Sequence, residues 1–114
     1  MMSSDNDFLA ALCTEVRNLV AQGKLDLCLD RIRNAMATCP DAPQPHNLLG
    51  IVLEKQGRHT EAMRHFRAAW ALDPTYIPAE QNLETYATFY SCGRCAFDES
   101  DCHRGQLQEV RRTM

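Results

Sequence analysis

Apolar residues recur at three- and four-residue spacing along most of the chain, the signature of helices with one buried face. From about residue 7 to Gln22 the stripe is Phe8, Leu12, Val16, Leu19 and Val20, with Ser4 or Asp5 placed to cap it. Gly23 is expected to end that helix, because glycine enters the left-handed geometry of a tight helix exit. A second helix, about Lys24 to Thr38, turns Leu25, Cys28, Leu29, Ile32, Ala35 and Met36 inward. The stretch from Cys39 to Pro43 interrupts it, since proline lacks a donor and disfavours helix in the residue before it. A third helix, roughly Gln44 to Gln56, presents Leu49, Val52 and Leu53, and Gly50 leaves space for a partner backbone to come close. The fourth starts near Arg58 to Thr60, with Thr60 as N-cap, and runs to Leu72. Its inward set is Ala62, Met63, Phe66, Ala69 and Trp70. A fifth, about Ile77 to Ser91, carries Pro78 in its first turn, where proline is tolerated.

The pattern repeats itself. Moved by 34 residues, Leu19 falls on Leu53, Gly23 on Gly57, Cys28 on Ala62, Ile32 on Phe66, Ala35 on Ala69 and Pro40 on Pro74. With Gly50 and Leu53 on one helix, then Gly57, then Ala62, Phe66 and Ala69 on the next, residues 43–76 resemble a tetratricopeptide repeat. The resemblance is strong for that unit, good for the preceding one and weak beyond Pro74. It implies an all-α fold, a short right-handed α-solenoid of antiparallel helix pairs with about five helices. Residues 1–6 then form a polar lead-in, and 7–91 form the helical domain. Repeat one covers about 9–42, repeat two about 43–76, and a capping helix about 77–91. Residues 92–114 form a cysteine-rich polar tail, with a helical turn or two around Gln106 to Arg112. Two repeats and a cap make a small array, because each unit is stabilised mainly by its neighbour.

Length and charge narrow the function. A chain of 114 residues suits one domain. A net charge of -3, with the arginines spread among acids, supplies no basic field for nucleic acid. The acidic start has no signal-peptide core, and the longest uncharged run, Ala42 to Leu53, is short of the ~20 apolar residues that span a bilayer. A cytoplasmic protein without membrane contact is expected, with Cys13, Cys28 and Cys39 as free buried thiols.

In the family this sequence resembles, the first helices of successive repeats line a concave groove that holds a peptide or partner helix. Carried onto this chain, that surface comprises Cys13, Arg17 and Ala21, then Gln44, Asn47, Ile51, Glu54 and Lys55, then Gln81, Thr85 and Thr88. Its polar members suit hydrogen bonding to a ligand backbone, with Ile51 as an apolar anchor. The plainer alternative is that they are simply solvated. The clamp by which some relatives hold acidic chaperone tails is absent: Cys13 and Arg17 stand where its lysine and asparagine would be, and a third repeat is lacking.

The resemblance thus implies a non-catalytic adaptor, scaffold or assembly factor with a protein or peptide partner and no cofactor. One alternative is a metal- or redox-responsive regulator. Cys92, Cys95, Cys102 and His103 supply four donors of the type zinc takes, although adjacent Cys102 and His103 fit one ion poorly and no second separated pair closes the loop. Cys92 and Cys95 also have the spacing of a redox pair, but follow a helix where that chemistry needs a helix N-terminus. Another alternative is a homodimer through Trp70, Phe89 and Tyr90. His46 reads as a packed structural residue, and His65 as a partner of Glu61 one turn earlier. No nucleophile elbow, phosphate-cradling loop or paired-histidine metal motif is present, so no enzyme is expected.

Overall fold

The computed structural model describes residues 2–87 and 95–102. It holds five α-helices and, among the described residues, no strand: α1 (Met2–Ala21), α2 (Leu25–Thr38), α3 (Pro43–Lys55), α4 (His59–Leu72) and α5 (Ile77–Ala87). A single 3-10 turn, Glu99–Asp101, follows. The fold is all-α, of helix pairs packed in the manner of a helical repeat.

The 34-residue register is visible in the backbone. Helices α2 and α4 begin and end 34 positions apart and are each 14 residues long. Both preceding helices close in the same way. The N–H of Lys24 donates to the Leu19 carbonyl and that of Arg58 to the Leu53 carbonyl, each at 2.9 Å, while Gly23 and Gly57 donate to Val20 and Glu54 at 3.0 Å. This pair of bonds is a Schellman closure, which needs a left-handed residue. Gly23 and Gly57 supply it, at φ 75° and 79°.

Helix α3 is central and touches the other four helices. Its burial follows from that position: Leu48, Gly50, Ile51, Val52 and Leu53 are all enclosed. At its crossing with α4, a Cβ on Gly50 would lie 2.5 Å from the Phe66 ring, so the missing side chain admits the aromatic. Phe66 in turn stacks on Tyr86 of α5, with centroids 5.7 Å apart. Burying Phe66, Leu48, Ile51 and Val52 contributes on the order of 1.5–3 kcal/mol per side chain.

Several expectations are corrected. Helix α1 begins at Met2, so Asp5 lies in its first turn, where it favours the helix dipole instead of capping. Arg58, without a side-chain cap bond, precedes α4, and Thr60 is already helical. Phe8 and Trp70 are 41% and 46% exposed, because the buried rows of their helices run through Leu9, Leu12 and Val16 and through Ala62, Phe66 and Ala69. Phe89, Tyr90 and residues 106–112 lie outside the described residues. The largest difference concerns the tail: residues 95–102 lie against the helical domain, with Ala96 fully buried. No helix among the described residues is long and apolar enough to cross a membrane.

Candidate functional site

One face of α1, α3 and α5 carries the polar residues Arg17, Asn47, Gln81 and Asn82, and residues 95–102 run across it. The 34-residue register brings α1, α3 and α5 into line: Cys13, Asn47 and Gln81 are equivalent, as are Arg17, Ile51 and Thr85. Equivalent positions on helices of one array share a face, so these side chains form rows across the helices.

Asn47 and Asn82 form the centre. Both are completely buried. Asn82 donates to the Asn47 side-chain oxygen at 2.7 Å, and both amides donate to the Ala96 carbonyl at 2.9 Å. The Ala96 N–H returns a bond of 2.7 Å to the Asn82 oxygen. Both backbone groups of Ala96 are therefore taken by side-chain amides. An amide offers a donor and an acceptor a fixed distance apart, which matches the N–H and C=O of an extended residue.

Arg17 provides the charge. Its guanidinium pairs with Asp98 at 2.9 Å and Asp101 at 2.6 Å and lies 5.6 Å from the centre of the Phe97 ring, within cation–π range. The Asp101 carboxylate also accepts the Phe97 N–H at 3.1 Å, and Gln81 donates to the Asp101 carbonyl at 3.3 Å. Burial alone would raise the Asp98 carboxyl, but bonds from Ser100 and Arg17 outweigh it and hold the group below its ordinary value. Asp98 has extended backbone, φ -151° and ψ -175°, and accepts the Ser100 N–H as the chain turns.

The other expected site residues divide. Ile51 is enclosed in the core, and Thr85 is buried on α5. Glu54 instead accepts a bond from His59 Nδ1 at 2.6 Å, while Lys55 is exposed and its charge acts on the Cys95 thiol. Ala21 is exposed, and Thr88 is outside the described residues. The Gln44 side-chain oxygen is buried without a hydrogen-bond partner, one turn before Asn47 on the same face of α3. The Tyr76 hydroxyl, beside the Cys13 thiol, is likewise buried without a hydrogen-bond partner. Cys13 itself is pushed up to about 11 by burial and by the Asp98 charge.

Of the four expected metal donors, Cys92 and His103 lie outside the described residues. The Cys95 thiol is beside the Tyr86 hydroxyl and raised by burial. That of Cys102 is raised to about 11, by burial and by neighbouring acids, and contacts the Asp98 carbonyl at 3.8 Å. Raised values keep these thiols protonated, which does not favour a redox nucleophile. Among the described residues no three such donors meet in one place.

Asn82 escaped the sequence reading, although a signal existed: its equivalent 34 residues earlier is Leu48, a core residue, so a polar side chain in an apolar slot marked it. His46 packs as expected, but His65 does not have the expected partner. Their rings stack at 5.4 Å with the Nδ1 atoms 3.2 Å apart, so His65 meets His46, with Glu61 exerting a weaker pull. Comparison with family models, with curated proteins and with solved structures gave no match.

Proposed function

We propose that this protein is a non-catalytic interaction module of the tetratricopeptide type, which binds an extended segment of a partner protein along the face of α1, α3 and α5. The observation that carries this reading is the seating of Ala96, whose backbone N–H and C=O are both held by the Asn47–Asn82 pair. Side-chain amides that grip main-chain groups bind a peptide without regard to most of its sequence, and neighbouring side chains then add selectivity. In this reading the protein works in the cytoplasm, where its cysteines stay reduced.

The test is a peptide-display selection on the full chain carrying Asp98→Ala and Asp101→Ala, which weakens the hold of residues 96–101 on the face and leaves the helices in place. Enriched peptides should lose binding when Arg17→Glu or Asn82→Leu is added, with helix content unchanged by circular dichroism. No enrichment, or peptides indifferent to both substitutions, would sink the reading.

A further inference from the structure

The segment from Ala96 to Asp101 has the chemistry of a ligand. Ala96 sits fully buried between two clamping amides, so a larger side chain would not fit there. Phe97 follows beneath the Arg17 guanidinium, and Asp98 and Asp101 share that single cation. Lys55 places a second positive charge toward the Cys95 end.

The fit is incomplete. The Tyr76 hydroxyl and the Gln44 oxygen stay buried without partners on this side of the fold, each at a cost of about 1–3 kcal/mol. Arg17, Asp98 and Asp101 keep 32%, 28% and 31% of their side chains exposed, and ion pairs open to water contribute only about 0–1 kcal/mol. The segment is held in part by proximity, because a short tether gives an effective concentration in the millimolar range. An occupant of the same chemistry that also satisfies Tyr76 or Gln44 would displace it.

Building on the groove reading above, we propose that residues 96–101 are an internal stand-in for the partner. The partner is then a protein segment with a small residue, an aromatic, an acid and a second acid three positions after the first, and it binds by displacing residues 96–101. The chain's own segment thereby sets a threshold: apparent affinity falls by the fraction of molecules in which the face is open.

The probe is a fluorescent peptide of residues 95–102 with serine at both cysteine positions. Binding is followed by anisotropy to the full chain and to the full chain carrying Asp98→Lys and Asp101→Lys, whose segment is repelled by Arg17. The peptide should bind the released variant at least about tenfold more tightly than the intact chain. On a background of Asp98→Ala and Asp101→Ala, whose segment pairs with neither sign of charge, Arg17→Glu should abolish that binding, and a peptide with lysine at both acid positions should restore it. Equal affinity for intact and released chains overturns the proposal, as does equal binding of the charge-reversed peptide to the native face. If display selection on the released face returns groove-dependent peptides without the acidic–aromatic pattern, the groove reading stands and this one falls. If it returns none, both fall.

A measurement on the unmodified chain guards against misfolded variants. Saturating peptide should speed hydrogen exchange at the Ala96 amide at least about tenfold by ejecting the segment. Unchanged exchange overturns displacement. A dimer seen by light scattering and dissolved by Asp98→Lys with Asp101→Lys would assign the face to a second copy, and would also overturn it.

Discussion

The two helical hairpins occupy the same 34-residue register and solve their central crossing with different volumes. In the second, Gly50 on α3 admits the Phe66 ring from α4. In the first, the equivalent positions hold Val16 and Ile32, both completely buried. A very small residue against a large one is replaced by two of middle size. Close packing constrains the summed volume at a crossing more tightly than either side chain. The hairpins differ at the groove as well: the first contributes a charge, Arg17, and the second an amide, Asn47, where the first has Cys13.

The strongest way to break this comparison is Phe66→Ala. It empties the second crossing and the stack on Tyr86, and should cost about 3–5 kcal/mol in chemical denaturation. A loss below about 1 kcal/mol would mean that the crossing collapses freely and that Gly50 is not matched to the ring. Gly50→Ala adds a methyl group 2.5 to 2.8 Å from Phe66 atoms and should cost about 1–3 kcal/mol. Unchanged stability would show that the ring moves aside easily.

The equivalence itself is sharpened by transplanting one solution into the other hairpin. Ile32→Phe alone should destabilise by about 1–3 kcal/mol, and adding Val16→Gly should recover about 1 kcal/mol of it. Strict additivity of the two substitutions would break the register argument.

The hairpins should also differ in pH response. Burial lowers both His46 and His65, and His46 further opposes charge on His65, whereas the first hairpin has Leu12 and Arg31 at those positions. A histidine lowered on folding contributes stability that is present above its unfolded value near 6.5 and is lost as pH falls below it. Melting temperature should therefore drop from pH 6.5 to pH 5, and His46→Leu should flatten that slope. An unaltered slope would place the titration elsewhere.

The smallest effect is expected at Tyr76→Phe. Its hydroxyl is buried without a partner, so removal should leave stability unchanged or raise it by up to about 1 kcal/mol. A clear loss would reveal a hydrogen bond to Cys13 after all.

Most of the helical fold was legible because its signals are local. Helix phase comes from residues three and four apart, and the exits at Gly23 and Gly57 come from a backbone angle that favours glycine. At Gly50 the small residue was legible but its partner was not: the Phe66 ring, and not the expected backbone, occupies the space. Phe8 and Trp70 were assigned to the interior because periodicity shows that a residue is near a buried stripe, but not where the neighbouring helix ends.

The groove was legible only in half. Arg17, Asn47 and Gln81 could be placed on one face by register alone. What lies on that face could not: residues 95–102 have no helical period, and the contact that anchors them joins positions 84 residues apart. By itself, the sequence determined the helices, their breaks and the repeat, since backbone sterics and hydrophobic period act within a few residues. The tertiary structure alone decided that Asn82 pairs with Asn47 and that Ala96 is buried between them. Those outcomes depend on which polar groups remain to be satisfied once α1, α3 and α5 have come together, and no local rule contains that information.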